Sequence, residues 1–348
     1  MFKACFVITE ECNMSCEYCY MSNRKRLMSR DTFDFHHENT LPYFMSHYKE
    51  TEYALDIFGG EPLTYWPMIT HIINKTKDDP NKSSINLMTN GLLLNEKRVD
   101  YLMENRVNMS LSFDGLWAQQ LVKYRSLQPL LSKAFKKASV CITPTNMDMA
   151  ENFTFLVDEF DLIPNFKIVK DNIWTKADVE KFKYELDQLE EVFLEYFNNL
   201  GRFIFPSIFE HRLLMLLESS AHQMSKMRCF VGINGAAFGA NNKVYPCARF
   251  LTSDYYPIHN GVDVIKDNLY VIDSAASLFN DECHKCELGD HCDHICLHQE
   301  MLNNGILSNV CELYKAVETK VLDINDRMRE NKEWRMYLQE QTRRATDG

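Results

Sequence analysis

Near the start of the chain Cys12, Cys16 and Cys19 fall in a CxxxCxxC run, with Tyr18 directly before the third cysteine. Three thiolates on one short loop can hold three irons of a [4Fe–4S] cluster. The fourth iron then has no protein ligand and stays open to a substrate or cofactor. The alternative is zinc, but a structural zinc site takes four ligands, and no further His or Cys lies close in sequence to complete them. A second group is larger: Cys229, Cys247, Cys283, Cys286, Cys292, Cys296 and Cys311. Its CxxC-type spacings suit iron–sulfur clusters and also a ribbon-like or treble-clef-like zinc module. Cys5 and Cys141 sit alone in apolar, strand-like runs and read as core residues.

The elements that must carry these groups follow from the apolar pattern. Short apolar runs at Ala4–Thr9, Ala54–Phe58, Ser84–Met88, Val107–Phe113, Ala138–Thr143 and Phe166–Lys170 predict strands. Helix-period stretches separate them at Asp31–His47, Trp66–Thr76, Asn95–Glu104, Leu127–Lys137 and Asp148–Phe160. Such alternation predicts an α/β fold of parallel strands with helical crossovers, a partial (β/α)6 version of the eight-stranded barrel. The first cysteine group directly follows the first strand, where barrel enzymes build their sites. Lys176–Leu200 and Ser207–Ser220 read as further helices, and Val310–Arg343 as one long, charged terminal helix. The expected divisions are a barrel over 1–200, a helical connection over 201–228, a small α+β metal-stapled domain over 229–315 and a terminal helix over 316–348. The third of these is short, turn-rich and cysteine-dense, so metal would have to staple it.

Bulk properties set outer limits. The chain has 348 residues, 45% hydrophobic and 25% charged, with a formal net charge of −11. That balance argues against a nucleic-acid or anionic-membrane partner, either of which needs concentrated Lys and Arg. No apolar run approaches the roughly 20 residues of a membrane span. The N-terminus lacks the features of a secretory signal, so the expected location is cytoplasmic. In that compartment twelve cysteines point to metal or redox chemistry and not to disulfides.

Three more segments lie at predicted strand ends. Gly59-Gly60-Glu61-Pro62 follows the second strand, Thr89-Asn90-Gly91 the third, and Ser112-Phe113-Asp114-Gly115 the fourth, with Arg125 shortly after. Two glycines would let main chain approach a ligand closely, a carboxylate suits an ammonium, and an Arg suits a carboxylate. Taken alone, Thr89-Asn90-Gly91 is also an ordinary turn. In this order, behind successive strands, the motifs and the CxxxCxxC run resemble the radical S-adenosylmethionine (SAM) superfamily.

That resemblance implies a [4Fe–4S] cluster on Cys12, Cys16 and Cys19 whose open iron chelates SAM. It implies SAM contacts from the Tyr18 region, Gly59, Gly60, Glu61, Pro62, Asn90, Ser112, Asp114 and Arg125. A reductant such as flavodoxin or ferredoxin would supply the electron that cleaves SAM to a 5′-deoxyadenosyl radical. The second cysteine group resembles the SPASM extension of that superfamily, which implies two auxiliary [4Fe–4S] clusters. By position, Cys283, Cys286, Cys292 and Cys311 would hold the outer one, and Cys229, Cys247 and Cys296 the inner one. Its fourth ligand is open between a substrate group, a water or small thiol, and a nearby carboxylate or His. His284, His291, His294 and His298 read as surface or supporting residues.

SPASM relatives act mostly on peptides, so the leading expectation is a maturase of a ribosomally made precursor peptide. The radical would abstract a hydrogen, and a C–C or thioether cross-link would follow. Anaerobic sulfatase-maturating enzymes are the near alternative. They carry an extra cysteine before the block and an Asp after the position of Cys247, whereas this chain has no cysteine in 219–228 and has Ala248, then Arg249. Arg249 and Tyr245 are candidates for a proton acceptor, though no motif names the catalytic base. With the first cluster loop at Cys12, no leader-binding domain is expected ahead of it, so a separate leader-binding protein is a possible partner. A small-molecule dehydrogenase and a zinc-binding interaction protein remain open as alternatives.

Overall fold

The computed structural model describes residues 1–21, 23–170, 172–198, 203–210, 213, 231–252, 254–275, 285–286, 288, 296–303 and 308–347. They fall into two compact units. The first comprises 1–113, 118–135 and 229–278, the second 114–117, 136–228 and 279–348.

In the first unit, strands β1 (Phe2–Thr9), β2 (Tyr53–Gly59), β3 (Lys82–Thr89) and β4 (Val107–Ser112) run parallel in sequential register. Between them lie helices α1 (Arg30–Phe35), α2 (Leu41–His47), α3 (Trp66–Lys75) and α4 (Glu96–Glu104). α1 and α2 are joined without a break by a π-helical turn, His36–Thr40, so the helix expected over Asp31–His47 is continuous but locally widened. The two faces of the sheet differ in texture. The row Phe6, Ile57, Leu87 is fully buried, and Phe6 packs on Phe33 of α1 at 4.8 Å between ring centroids. The alternating residues face the other way, and among them Met88 is 42% exposed.

The sheet continues beyond β1. β7 (Gly235–Gly239) pairs parallel with it, Phe6 opposite Phe238, and β8 (Val244–Tyr245) closes a hairpin on β7. Residues 229–278 therefore cluster with the strands, although the sequence puts them at the head of a separate domain. β7 reads Gly-Ala-Ala-Phe-Gly and is buried throughout; its small residues let a neighbouring strand lie close but give little strand signal in sequence.

The second unit contains the parallel pair β5 (Lys137–Ile142) and β6 (Ile163–Ile168), with α6 (Met149–Phe160) and α7 (Lys176–Asn198). Helix Ser308–Met328 lies along α7, where buried Glu190 accepts from Lys320 at 2.8 Å and also pairs with Arg327. The single terminal helix expected over Val310–Arg343 is two helices. Asn331 begins the second, Lys332–Asp347, by accepting from the amides of Glu333 and Trp334. Trp334 is fully buried against Phe203, Phe205 and Tyr337, so this terminal segment is a packing element.

One helix differs in extent from the expectation. α5 runs Leu121–Ala134, not Leu127–Lys137, and Lys137 opens β5. Its start has no side-chain cap, which removes the usual signal for where a helix begins.

Candidate active site

The cysteine loop leaves β1 and returns to it. Met28 N–H donates to Ile8 O, Glu10 N–H to Arg26 O, and the Arg26 guanidinium meets the buried Glu10 carboxylate at 2.8 Å. The ends are thus tied and the segment between them forms a compact loop. Within it Cys12 N–H donates to Asn23 Oδ1 at 2.9 Å, Met14 N–H approaches Cys12 Sγ at 3.4 Å, and Cys19 N–H donates to Cys16 O at 3.1 Å. Cys12 and Cys16 are half-buried and Cys19 is exposed. Burial raises the Cys12 thiol pKa, helped by the charge of Glu61 and the neighbouring Cys19, while the Met14 amide opposes it.

The end of β2 clamps this loop. Gly60 N–H donates to Thr9 O at 2.9 Å and Glu61 N–H to Glu11 O at 2.8 Å. A Cβ on Gly59 would lie 2.3 Å from Thr9 O, and one on Gly60 2.3 Å from Glu11 O. The two glycines are therefore required by the approach of β2 to the loop's own main chain; the sequence reading assigned them to ligand approach instead.

Glu61 is 1% exposed, and its carboxylate ties two motifs together. Oε1 accepts from Leu63 N–H at 2.9 Å and the Thr89 hydroxyl at 2.7 Å; Oε2 accepts from Asn90 N–H at 2.7 Å. Burial raises its pKa, and these donors together with the positive charge of Arg98 oppose the rise. Asn90 continues the chain: its side chain donates to Asn13 Oδ1 at 2.8 Å, and its carbonyl accepts from Tyr124 at 2.9 Å. Gly91 holds φ +77° at this turn, a left-handed value that favours glycine.

Other predicted residues are placed less tightly. Pro62 is buried and opens the short 3-10 turn that Glu61 caps. Tyr18 is half-buried in the loop, Ser112 ends β4 half-buried, and Arg125 is exposed on α5. Asp114 accepts from Cys141 N–H at 2.9 Å in the second unit, which gives it a structural task at the start of the turn around Gly115. Cys5 lies buried in β1, and Cys141 half-buried in β5, as strand residues.

Several positioning residues escaped sequence reasoning. Gln119 grips Ser15 at both ends of its peptide, accepting from N–H at 3.4 Å and donating to O at 2.7 Å. Tyr124 stacks on Phe113 at 4.0 Å while donating to Asn90. Nothing in a Trp-Ala-Gln-Gln stretch signals a loop clamp.

Of the second cysteine group, Cys247, Cys286, Cys296 and Cys311 are half-buried; Cys247 precedes helix Ala248–Thr252, Cys296 precedes helix Leu297–Asn303, and Cys311 lies in helix Ser308–Met328. Cys229, Cys283 and Cys292, with His284, His291 and His294, lie outside the described residues. Beside Cys247, the Arg249 guanidinium stands 4.7 Å over the Tyr20 ring. Burial raises the Tyr20 phenol pKa, with the nearby thiols of Cys5, Cys247 and Cys19 adding to the rise and Arg249 opposing it. Tyr245 points instead at Asn241, donor at 2.7 Å, and at Asp254.

Among the described residues no three His, Cys, Asp or Glu side chains converge on a single-ion site. A cluster asks for something different, because each thiolate takes its own iron. A loop carrying three thiols, anchored at its base, at Asn13 and at Ser15, fits that demand.

Comparison with known proteins bears on the family and the fold. Residues 6–125 match the family model described as the Radical SAM superfamily. The chain is 22% identical to the radical SAM cyclopropyl synthase TigE of Paramaledivibacter caminithermalis, over 91% of this chain and 73% of that protein. In fold it is similar to anSMEcpe with bound AdoMet, with a TM-score of 0.72 and 16% identity over 97% and 98% of the two chains. It is also similar to SuiB of Streptococcus suis bound to its precursor peptide SuiA, with a TM-score of 0.56 and 14% identity over 86% and 73%. The match over residues 6–125 is to the superfamily that the motifs resemble, and the fold is the mixed α/β, parallel-stranded one that they implied.

Proposed function

We propose that this protein is a radical SAM enzyme that modifies a ribosomally made precursor peptide, closing a C–C or thioether cross-link. The observation that carries the reading is the three-cysteine loop held by Gly59–Glu61 on one side and Asn90 on the other. Cys12, Cys16 and Cys19 would hold the [4Fe–4S] cluster, and Asn90, Ser112 and Arg125, with the Gly59–Pro62 turn, would position SAM. When both groups are bound, they supply a 5′-deoxyadenosyl radical able to take hydrogen from carbon. The chain's own part is positional. Glu61 fixes the two strand-end turns to each other, and Asn90 and Gln119 fix the loop, so the ligands keep one geometry. The Cys247–Cys311 group would hold two auxiliary clusters, together with Cys229, Cys283 and Cys292, and these would take the leftover electron.

Support for a peptide substrate comes from two proteins of similar fold: anSMEcpe has been captured with the Cp18Cys peptide, and SuiB with the precursor peptide SuiA. The sulfatase-maturating alternative is weakened at one position. Ala248 offers only a methyl group, 8% exposed, where that branch places its carboxylate base. A separate leader-binding protein, a flavodoxin- or ferredoxin-type reductant and a cytoplasmic location complete the proposal.

The test follows the hydrogen. The reconstituted enzyme would be incubated with SAM, reductant and either the peptide or the small-metabolite fraction of cells grown in heavy water. Deuterium in 5′-deoxyadenosine from the peptide fraction alone supports the reading. Deuterium from the metabolite fraction alone would mark a small-molecule dehydrogenase.

A further inference from the structure

The face of the first unit's sheet that is turned away from Phe6, Ile57 and Leu87 carries a polar row no motif accounts for. Asp56, Asn86 and Asn108 are direct cross-strand neighbours on β2, β3 and β4, so their side chains share one face about 4.8 Å apart. Asn86 Nδ2 donates to Asp56 Oδ1 at 2.6 Å, and Asn108 Nδ2 donates to Asn86 Oδ1 at 3.0 Å.

The carboxylate fixes the direction of this chain. An ionised Asp56 can only accept, so Asn86 must turn its amide N–H toward it and its oxygen toward Asn108, which must donate in turn. Among the described residues Asp56 Oδ2 and Asn108 Oδ1 accept no hydrogen bond. The row thus offers one acceptor at each end, one of them charged, beside the second amide N–H of Asn86 and of Asn108.

The row is also reachable. Asn108 is exposed, Asp56 and Asn86 are half-buried, and Met88, on the same face two residues beyond Asn86, is open to solvent. It lies three residues, or about 10 Å, below the strand ends that carry Gly59 and Thr89. A substrate presented to those strand ends would extend down this face. Cys5, opposite Asp56 on β1, continues the row, and Lys3 of the same strand is near enough for its positive charge to oppose the rise that burial causes in the Asp56 pKa.

We infer that the Asp56–Asn86–Asn108 row is a specificity site that takes a cationic, donor-rich group of the substrate, the ammonium or guanidinium of a Lys or Arg side chain in the peptide. This rests on the peptide reading above. A carboxylate–guanidinium or carboxylate–ammonium contact in a half-buried setting is strong enough to select sequence, whereas an apolar or acidic side chain would leave Asp56 Oδ2 without a donor.

The experiment is selection of random short linear peptides displayed on ribosomes against the immobilised, reconstituted holoenzyme, in parallel with Asp56→Asn and Asn108→Ala. Peptides enriched about tenfold or more in Lys or Arg at one position by the wild type, with the enrichment lost in Asp56→Asn and weakened in Asn108→Ala, are the expected result. Because Asn108 is exposed, its variant keeps the test decisive if Asp56→Asn folds poorly. Selected peptides without basic enrichment, or with the same enrichment in both variants, would overturn the site alone. If no peptide is selected while SAM cleavage proceeds, the peptide reading falls and takes this site with it.

Discussion

A Cβ on Gly60 would stand 2.3 Å from the carbonyl oxygen of Glu11; main chain meets main chain there, and no side chain can yield. The turn after β2 is therefore shaped to fit the cysteine loop. Gly60→Ala should force the two segments apart, a strain of about 1–3 kcal/mol. Iron incorporation into the first cluster should fall with it, read as iron and labile sulfide per chain. Unchanged incorporation would mean that the loop is not held there.

Glu61→Gln removes a charge but keeps the size. The new amide cannot accept from all of Leu63, Thr89 and Asn90, so at least one buried donor loses its partner, costing about 1–3 kcal/mol. SAM affinity should fall while the protein still folds. Isothermal titration with SAM under anaerobic conditions measures the change, and Glu61→Asp should rescue it poorly because the carboxylate no longer reaches Asn90.

Gln119→Ala should be mild in stability, within about 0.5 kcal/mol, because the side chain is exposed. Its effect should show in the loop: hydrogen exchange at the Ser15 amide should quicken relative to the strands. Equal protection in the variant would remove Gln119 from the positioning set.

His36 supplies a pH test of the fold. It is fully buried, its Nδ1 lies 3.0 Å from the Thr40 hydroxyl and its Nε2 has no hydrogen-bond partner among the described residues. Burial lowers its pKa from 6.5 to about 4, with His259 adding to the shift. Between those values the unfolded chain binds the proton and the folded chain does not. Stability is thus fully present above about pH 6.5 and falls toward pH 4, by about 3 kcal/mol for this group. Thermal melts at pH 7.5 and 5.5 should show a Tm drop that is smaller in His36→Gln.

Much of this was readable from sequence, for definite reasons. β1 to β4 and the motifs at their ends are visible because buried parallel strands are continuous apolar runs, and because Gly, Asn and Pro mark where they stop. What stayed hidden depends on tertiary partners. α5 starts without a cap, so its first turn leaves no mark. β7 is a strand because Phe238 stacks on Phe6 at 4.5 Å, a fact no local propensity contains. Gly59 and Gly60 were readable as close-approach residues, but sequence could not say that the approaching partner is Glu11 and Thr9 and not a ligand. Gln119, Asn13 and Tyr124 act through long-range hydrogen bonds, which leave no periodicity at all.

The central claim concerns Cys12, Cys16 and Cys19, and one measurement reaches it most directly: 5′-deoxyadenosine formed from SAM by the anaerobically reconstituted, dithionite-reduced protein, with iron counted in the same sample. The account predicts turnover in the wild type. In Cys16→Ala it predicts no turnover and a loss of about four irons per chain, one cluster's worth. SAM left intact by the wild type, or zinc bound in place of iron, would contradict it.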